Sequence, residues 1–352
     1  MKNYFKDKKI IVTGHTGFKG SWLSIYLNIL GSKVYGISLK PKNFLCNFNL
    51  SKIKSILKKN LIFDLRNFNR LKKEINYIEP DIIFHLAAQP LVGISYKQPS
   101  LTWSTNLITT LNLLEVIKDY KKKITIIIIT SDKCYENLEL KRGYKESDRL
   151  GGKDPYSASK ASVEILCRSY FESFFKNNKN IKFATVRAGN VIGGGDWSDN
   201  RLIPDIIKSI KNGKILEMRN PNSTRPWQHV LEPLSGYIAL AEKINKDNQI
   251  NGESFNFGPS NDKGHTVHSV VKKIKKIFPQ LKYKISHDKI FNESNLLKLN
   301  CAKSKKLLSW KQKMNIGETI TFTAEWYKNY FDKKDTYKFT VNQIKKFLKL
   351  KK

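Results

Sequence analysis

Lys8-Lys9-Ile10-Ile11-Val12-Thr13-Gly14-His15-Thr16-Gly17-Phe18-Lys19-Gly20 is the stretch on which the fold turns. Its first half is a short run of apolar, mostly β-branched side chains, the composition of a strand buried on both faces of a parallel sheet. Gly14 ends that run. Beyond the glycines, residues 21–30 carry Leu23, Ile25, Tyr26, Ile29 and Leu30 at helical spacing, and Gly31 supplies a natural C-terminal cap. A tight strand-to-helix turn needs residues without a Cβ, and the helix N-terminus behind it presents N–H groups and a partial positive charge to a pyrophosphate. The spacing is G-x-x-G-x-x-G rather than the G-x-G-x-x-G of typical dinucleotide dehydrogenases. Its position at the first strand of an alternating pattern therefore carries the inference of a dinucleotide site.

That alternation continues outward. Lys33-Val34-Tyr35-Gly36-Ile37, Asp81-Ile82-Ile83-Phe84-His85-Leu86 and Ile124-Thr125-Ile126-Ile127-Ile128-Ile129 read as further strands, with helical stretches near 67–78 and 101–118. All-apolar strands alternating with helices predict an α/β fold: a Rossmann-type, doubly wound parallel sheet covered on both faces. After about residue 187, glycines, prolines and short polar runs break the pattern, as expected of a smaller, interleaved C-terminal substrate-binding domain. The expected division is 1–188, with returning segments near 229–258, for dinucleotide binding, and 189–228 with 259–330 for substrate. Residues 331–352 carry Val341, Ile344, Phe347 and Leu348 among lysines, an amphipathic basic helix expected to pack on the body or a subunit interface rather than on a membrane.

With 352 residues, 40% of them apolar and 11% aromatic, the chain can bury a sizeable core, which excludes a disordered protein. No apolar run approaches the ~20 residues of a membrane-spanning helix, and residues 1–7 contain no secretory-type apolar stretch, so the expected location is cytoplasmic. Cys46, Cys134, Cys167 and Cys301 are scattered, against a zinc site and against a disulfide scaffold. No metal cluster is expected. The formal charge of +34 raises nucleic-acid binding. Yet 55 of the 64 basic residues are lysines spread along the chain, whereas phosphate and base readers favour the planar fork of Arg. Solvated surface lysine is the simpler reading.

Two patterns carry chemistry. Tyr156-Ser157-Ala158-Ser159-Lys160 sets a phenol and an ammonium four residues apart, on one helix face, behind the helix start Asp154-Pro155. The ammonium is expected to lower the tyrosine pKa and make it a usable base. Thr130-Ser131-Asp132-Lys133 directly follows the strand ending at Ile129, at the sheet edge where reactive groups gather. The second strand ends in Ser38-Leu39-Lys40, without the acid that would bind ribose hydroxyls and favour NAD, so NADP stays open. Asp64 is a candidate third-strand residue facing the adenine.

These motifs, with His85-Leu86-Ala87-Ala88-Gln89-Pro90-Leu91-Val92, Arg187-Ala188-Gly189-Asn190-Val191-Ile192-Gly193-Gly194-Gly195-Asp196-Trp197 and Thr224-Arg225-Pro226-Trp227-Gln228-His229, resemble the extended short-chain dehydrogenase/reductases. Within them the chain is most similar to the nucleotide-sugar 4,6-dehydratases of the NAD-dependent epimerase/dehydratase family. The Asp132-Lys133 step is the specific part; dTDP-glucose and GDP-mannose dehydratases carry an acidic residue in place of the lysine. The resemblance implies NAD held by Thr13, Gly14, Gly17, Phe18, Lys19, Gly20, Asp64, Leu65, Ala87, Ala88, Gln89 and Asn106, with Tyr156 and Lys160. It implies a CDP-linked glucose as substrate, held by Asn190, Arg201, Arg225 and His229, although His229 beside Trp227 also suits packing. Asn106 also suits the anchoring of an active-site loop. Catalysis would fall to Tyr156, Lys160, Asp132 as acid, Lys133 as base or electrostatic clamp, and Thr130 or Ser131 as hydrogen-bond donor to the sugar. The relatives pair as homodimers through two helices, here near 101–118 and 156–175. An epimerase, a reductase or a 4,6-dehydratase for a sugar on another base, all of the same superfamily, and a non-catalytic dinucleotide-binding regulator with nucleic-acid affinity, are the alternative readings.

Overall fold

The computed structural model describes residues 2–41, 43–140, 142–218, 220–259, 265–286 and 297–350. Parts of the expected second domain (260–264 and 287–296) and the last two residues of the expected tail lie outside them. Seven strands form the main sheet: β1 (Lys9–Thr13), β2 (Lys33–Ser38), β3 (Lys59–Ile62), β4 (Ile82–His85), β5 (Ile124–Ile129), β6 (Ile181–Arg187) and β7 (Ser254–Asn256). Their spatial order is β7-β6-β5-β4-β1-β2-β3, and every pair is parallel. The order reverses between β1 and β4, and a crevice opens at that point, beyond the carboxyl ends of the strands.

Both faces of the sheet are buried, which explains why its strands read as unbroken apolar runs. Ile10, Val12, Phe84, Ile127 and Ile129 point into one apolar cluster, while Ile11, Ile83, Ile126 and Ile128 point into the other. The first face is covered by α1 (Phe18–Ile29); the opposite face carries α2 (Phe68–Ile78), α3 (Thr109–Lys118) and α4 (Pro155–Tyr170). α1 begins at Phe18, three residues before the apolar spacing alone indicates, so Lys19 and Gly20 lie in its first turn. Gly31 follows its end in the left-handed conformation, φ +87°. α3 is preceded by a short helix, Pro99–Trp103, and one π-helical turn, Ser104–Ile108.

Beyond β6 come α5 (Leu202–Lys211), α6 (Leu231–Lys243), α7 (Val267–Ile277), α8 (Ile316–Phe331) and α9 (Thr336–Lys349). Three small two-strand pairings join this part, and β7 returns to the main sheet beside β6. Leu234, Ile238, Trp326 and Phe347 share the cluster of Ile10 and Val12, so the smaller part and the sheet have one core. The basic C-terminal helix packs on the body: Ile344 and Phe347 are fully buried, Trp326 Nε1 donates to Thr340 Oγ1 at 2.8 Å, and Gln343 Nε2 donates to the Phe322 carbonyl at 2.7 Å. Among the described residues no helix is long and apolar enough to cross a membrane.

Gly194 fits this core only because it lacks a side chain. A Cβ there would lie 2.0 Å from Trp326 Cγ, and the ring is locked by its Thr340 hydrogen bond. Gly194→Ala should therefore cost about 1–3 kcal/mol of stability through overpacking. A thermal melt coincident with that of the parent protein would contradict this packing.

Candidate active site

The crevice is built first by Thr13. Its Oγ1 accepts the amides of Leu86 and Ala87, each at 3.1 Å, and shares a 2.9 Å hydrogen bond with His85 Nδ1. This draws the loop after β4 against the turn after β1. A Cβ on Gly14, whose φ is +71°, would lie 2.9 Å from the Ala87 nitrogen, and one on Gly20 would lie 2.2 Å from the Gly14 carbonyl oxygen. Gly17 caps α1 with no side-chain hydrogen bond, and no acidic residue occupies the first turn. Phe18 and Lys19 open the helix, half-buried. An uncapped helix N-terminus behind a turn with no Cβ to obstruct it fits a pyrophosphate. His15 points inward instead, Nε2 2.6 Å from Asn60 Oδ1, its ring filling space left by Gly36; burial lowers its pKa.

The other residues expected at the cofactor divide. Asp64 follows β3 with its carboxylate gripped by Arg66, 2.6 Å from Nη2, and the Arg66 hydrogen bonds hold its pKa below the usual range. Leu65 is buried, and its carbonyl accepts from Asn112 at 3.0 Å. Ala87 and Ala88 line the loop after β4, half-buried. Gln89 does not offer its side chain to a ligand: Nε2 donates to the Leu91 carbonyl (3.0 Å) and Thr102 Oγ1 (2.9 Å), while Oε1 accepts from the Leu91 amide (2.6 Å). Asn106 is an anchor rather than a ligand-facing group. Its Oδ1 accepts from the Gln89 amide at 2.7 Å and its Nδ2 donates to Ser159 Oγ at 2.8 Å, tying the loop to α4. The π-helical turn carries Asn106 itself. At the end of β2, Ser38 is hydrogen-bonded to Thr16 at 2.8 Å.

Asp154 caps α4 by accepting the Ser157 amide at 3.0 Å, which puts Tyr156 in the first turn and Lys160 one turn on, both buried. Across from them, Ser131 hydrogen-bonds Tyr156 and donates to Asp132 Oδ1 at 2.9 Å. The buried Asp132 carboxylate lies directly on Gly189, where a Cβ would overlap its Oδ2 at 1.7 Å. Lys133 is half-buried in the same turn. Two expectations are corrected here. Thr130 does not face the crevice: its hydroxyl donates to Glu164 Oε1 and to the Val186 carbonyl (3.1 Å), leaving Ser131 as the hydroxyl beside Tyr156. The tyrosine pKa is not lowered in the protein alone; burial pushes it up to about 12, opposed by the Ser131 hydrogen bond. Desolvation of the phenolate outweighs nearby cations. Lys160 is itself pulled down to about 8 by burial, against the pull of Glu164.

Sequence reading missed Glu164 and Arg187. Their ion pair is 2.9 Å long with both side chains buried, and Arg187 also donates to Tyr135 Oη at 2.7 Å. Glu164 was reachable by the i, i+4 spacing from Lys160; the partner on β6 was not, because nothing local pairs them.

On the opposite wall, Arg201 leads into α5, its Nη1 3.0 Å from Asp196 Oδ2, close enough to Tyr156 and Lys19 to act on both. Lys19 is lowered to about 8 by burial, and Arg201 adds to this. Asn190 follows Gly189 with φ +50°, and its carbonyl accepts the Gln228 amide at 3.2 Å. Arg225 lies on the short strand Thr224–Arg225, half-buried. His229 is not at a ligand surface. It is fully buried between Trp22 and Phe322, ring centroids 5.6 Å from each, and burial holds its pKa down at about 3.

The model of the family described as GDP-mannose 4,6 dehydratase matches residues 11–323. A CDP-glucose 4,6-dehydratase of Salmonella typhimurium is 40% identical over 339 residues, 95% of this chain and 94% of that one. Among solved structures, epimerase Mth375 of Methanothermobacter thermautotrophicus superposes with a TM-score of 0.81 at 19% identity, covering 94% of this chain and 95% of that one. The dTDP-glucose 4,6-dehydratase of Bacillus anthracis, in complex with NAD, gives 0.76 at 22% identity, covering 94% and 99%.

His85 and His229 both sit at about 3, lowered by burial, against about 6.5 when unfolded. Depressed histidine pKa values mean that the unfolded chain binds more protons, so stability is full above about pH 6.5 and is lost as pH falls toward 3. Each should remove about 2 kcal/mol by pH 5. Urea melts at pH 7 and pH 5 should show this loss, and His229→Gln should abolish its share; an undiminished loss would refute the assignment.

Proposed function

The chain belongs to the GDP-mannose 4,6 dehydratase family, and from that premise we propose that it converts CDP-glucose to CDP-4-dehydro-6-deoxyglucose and water. The carrying observation is the meeting of Tyr156, Ser131 and Asp132 at the carboxyl edge of the sheet, across from the glycine turn. NAD is the cofactor of this reading; when bound, it takes a hydride from sugar C4 and returns it at C6. Gly14, Gly17, Gly20 and the first turn of α1 would hold its pyrophosphate. Lys19 stands beside them.

The chain's own residues do the proton work. Tyr156 takes the proton of the sugar 4-hydroxyl, with Ser131 hydrogen-bonded to hold that oxygen. The burial-raised tyrosine pKa of about 12 is brought into range by the cationic surroundings of the loaded site, Arg201 among them, with Lys160 one turn on along α4. A ketone at C4 acidifies the C5 proton. Asp132 takes the C5 proton and delivers it to the departing 6-hydroxyl, which leaves as water, while Lys133 is the positive charge that steadies the enolate. The proton taken by Tyr156 balances the one that returns to C5. Asn190, Arg201 and Arg225 hold the nucleotide and diphosphate, the guanidinium forks matching phosphate oxygens. Trp103, Ile108 and Ile165 are large, exposed apolar side chains (37%, 37% and 60%) on adjoining helical segments, which supports a homodimer pairing there. The dispersed lysines support no nucleic-acid partner, and a cytoplasmic setting suits such a reaction.

Incubation with CDP-, dTDP-, UDP- and GDP-glucose plus NAD tests the reading by the alkaline absorbance of the 4-keto product. CDP-glucose alone should react, and deuterium placed at C4 should appear at C6 of the product; deuterium that washes out would refute it. Tyr156→Phe should lose C4 oxidation by at least about 100-fold, and Asp132→Asn should oxidise C4 without releasing water.

Lys133→Arg keeps the charge but cannot accept a proton near neutral pH. It should retain most of the activity, and Lys133→Met should not. Equal loss in both would make Lys133 the C5 base.

A further inference from the structure

Glu164 is a buried carboxylate to which the reaction assigns no task. It lies one helical turn beyond Lys160, as Lys160 lies one turn beyond Tyr156, so the three share a face of α4. Its oxygens collect hydrogen bonds from three elements of the sheet edge. Thr130 donates from the turn after β5; Thr185 (2.8 Å) and Arg187 Nη2 (2.9 Å) donate from β6; and Ser254 (3.2 Å) donates from β7. Arg187 in turn donates to Tyr135 Oη at 2.7 Å and to the Glu146 carbonyl at 3.1 Å, reaching the segment that follows the Ser131–Asp132 turn. A surface ion pair would hold a helix loosely; here both side chains are removed from water and nearly every polar atom is matched.

We propose that Glu164 is a positioning residue. Through Arg187, Thr130, Thr185 and Ser254 it fixes the face of α4 that bears Tyr156 and Lys160 against the turn that bears Ser131 and Asp132, and its charge keeps Lys160 a cation. The groups acting on Lys160 bear this out. Glu164 and Cys167 face it from its own helix, Cys134 from the turn after β5, while Lys19 of α1 and His85 of β4 interact with it from the cofactor side. Burial drives Cys134 and Cys167 well above their ordinary pKa, so they are neutral thiols at neutral pH. His85, lowered to about 3, is neutral too. Glu164 is the one anion left among these groups. Burial alone would raise its own pKa, but the Arg187 charge and the hydrogen bonds from Arg187, Thr130 and Thr185 hold it below the ordinary value.

The sign follows. Removing the Glu164 charge leaves burial of Lys160 unopposed, so its titration, at about 8 in the parent protein, should move to lower pH. The inference rests on Tyr156 and Lys160 as the reacting pair, but its test needs no turnover. In protein labelled at lysine Cε with carbon-13, the Lys160 signal is the one lost in Lys160→Met. Glu164→Gln should lower its titration midpoint by about one pH unit or more. Glu164→Asp keeps the charge but falls one methylene short of its partners. It should leave the midpoint near that of the parent while kcat falls at least about tenfold with KM for the nucleotide sugar unchanged. An unshifted Lys160 in folded Glu164→Gln, or full kcat in Glu164→Asp, would overturn the proposal. A shifted Lys160 in a protein that never turns over CDP-glucose would instead overturn the reaction and leave the role of Glu164 standing.

Discussion

Everything in the crevice depends on how closely two backbones approach at the reversal of strand order. The Thr13 hydroxyl gathers the Leu86 and Ala87 amides, and only a residue without a Cβ can stand at position 14 when Ala87 is that near. Because this contact closes one side of the crevice, the first turn of α1 opens on the other, with its amides turned outward. The same logic recurs across the site at Gly189. There the missing Cβ is replaced by the Asp132 carboxylate, which lies against the backbone of the segment following β6. The two close approaches bring Ala87 against the glycine turn and Asp132 against the segment after β6.

Much of this was legible because the signals are local. The apolar run ending at Thr13, the glycine spacing behind it and the pairing of Tyr156 with Lys160 are properties of short stretches, and the physics that forms them acts over the same short range. Strands β6 and β7 were harder. Lys182 and Thr185 interrupt the apolar run of β6, and β7 is three residues long, placed in the sheet by pairing with β6 rather than by its own sequence. Side-chain roles failed where two neighbouring residues carry the same chemistry. Thr130 and Ser131 both offer a hydroxyl after β5, and only the partner on α4 decides which one is withdrawn. Gln89 and His229 misled for the opposite reason, since polar side chains in a motif were turned inward: Gln89 is satisfied by its own loop, and His229 is buried in the core, its Nδ1 accepting the Leu231 amide.

The charge of the chain has two different meanings. Most of the lysines lie along the surface, where water screens them and their placement matters little. Lys19, Lys160 and Arg201 are another matter, because Lys19 feels both other cations and Asp132, and Arg201 and Asp132 act on Tyr156 as well. Burial and mutual repulsion hold Lys19 at about 8, so the protein alone keeps this cluster at a cost. In the proposed reaction a diphosphate entering such a site would relieve the repulsion and raise the lysine pKa again.

That electrostatic coupling also links binding to chemistry. Burial pushes Tyr156 up to about 12, because Arg201 and the Ser131 hydrogen bond do not outweigh the loss of water around its phenolate. Arg201 is among the groups that lower it, and Arg201 is at the same time paired with Asp196 across the mouth of the cleft. A phosphate drawing Arg201 away from Asp196 would reposition that charge relative to the phenol. Lys160 cannot move in the same way, being held on the α4 face beside Glu164. In the proposed reaction the fixed cation would come from the helix and the adjustable one from the segment after β6, so Tyr156 would become a fully competent base only once a phosphate-bearing ligand has engaged Arg201.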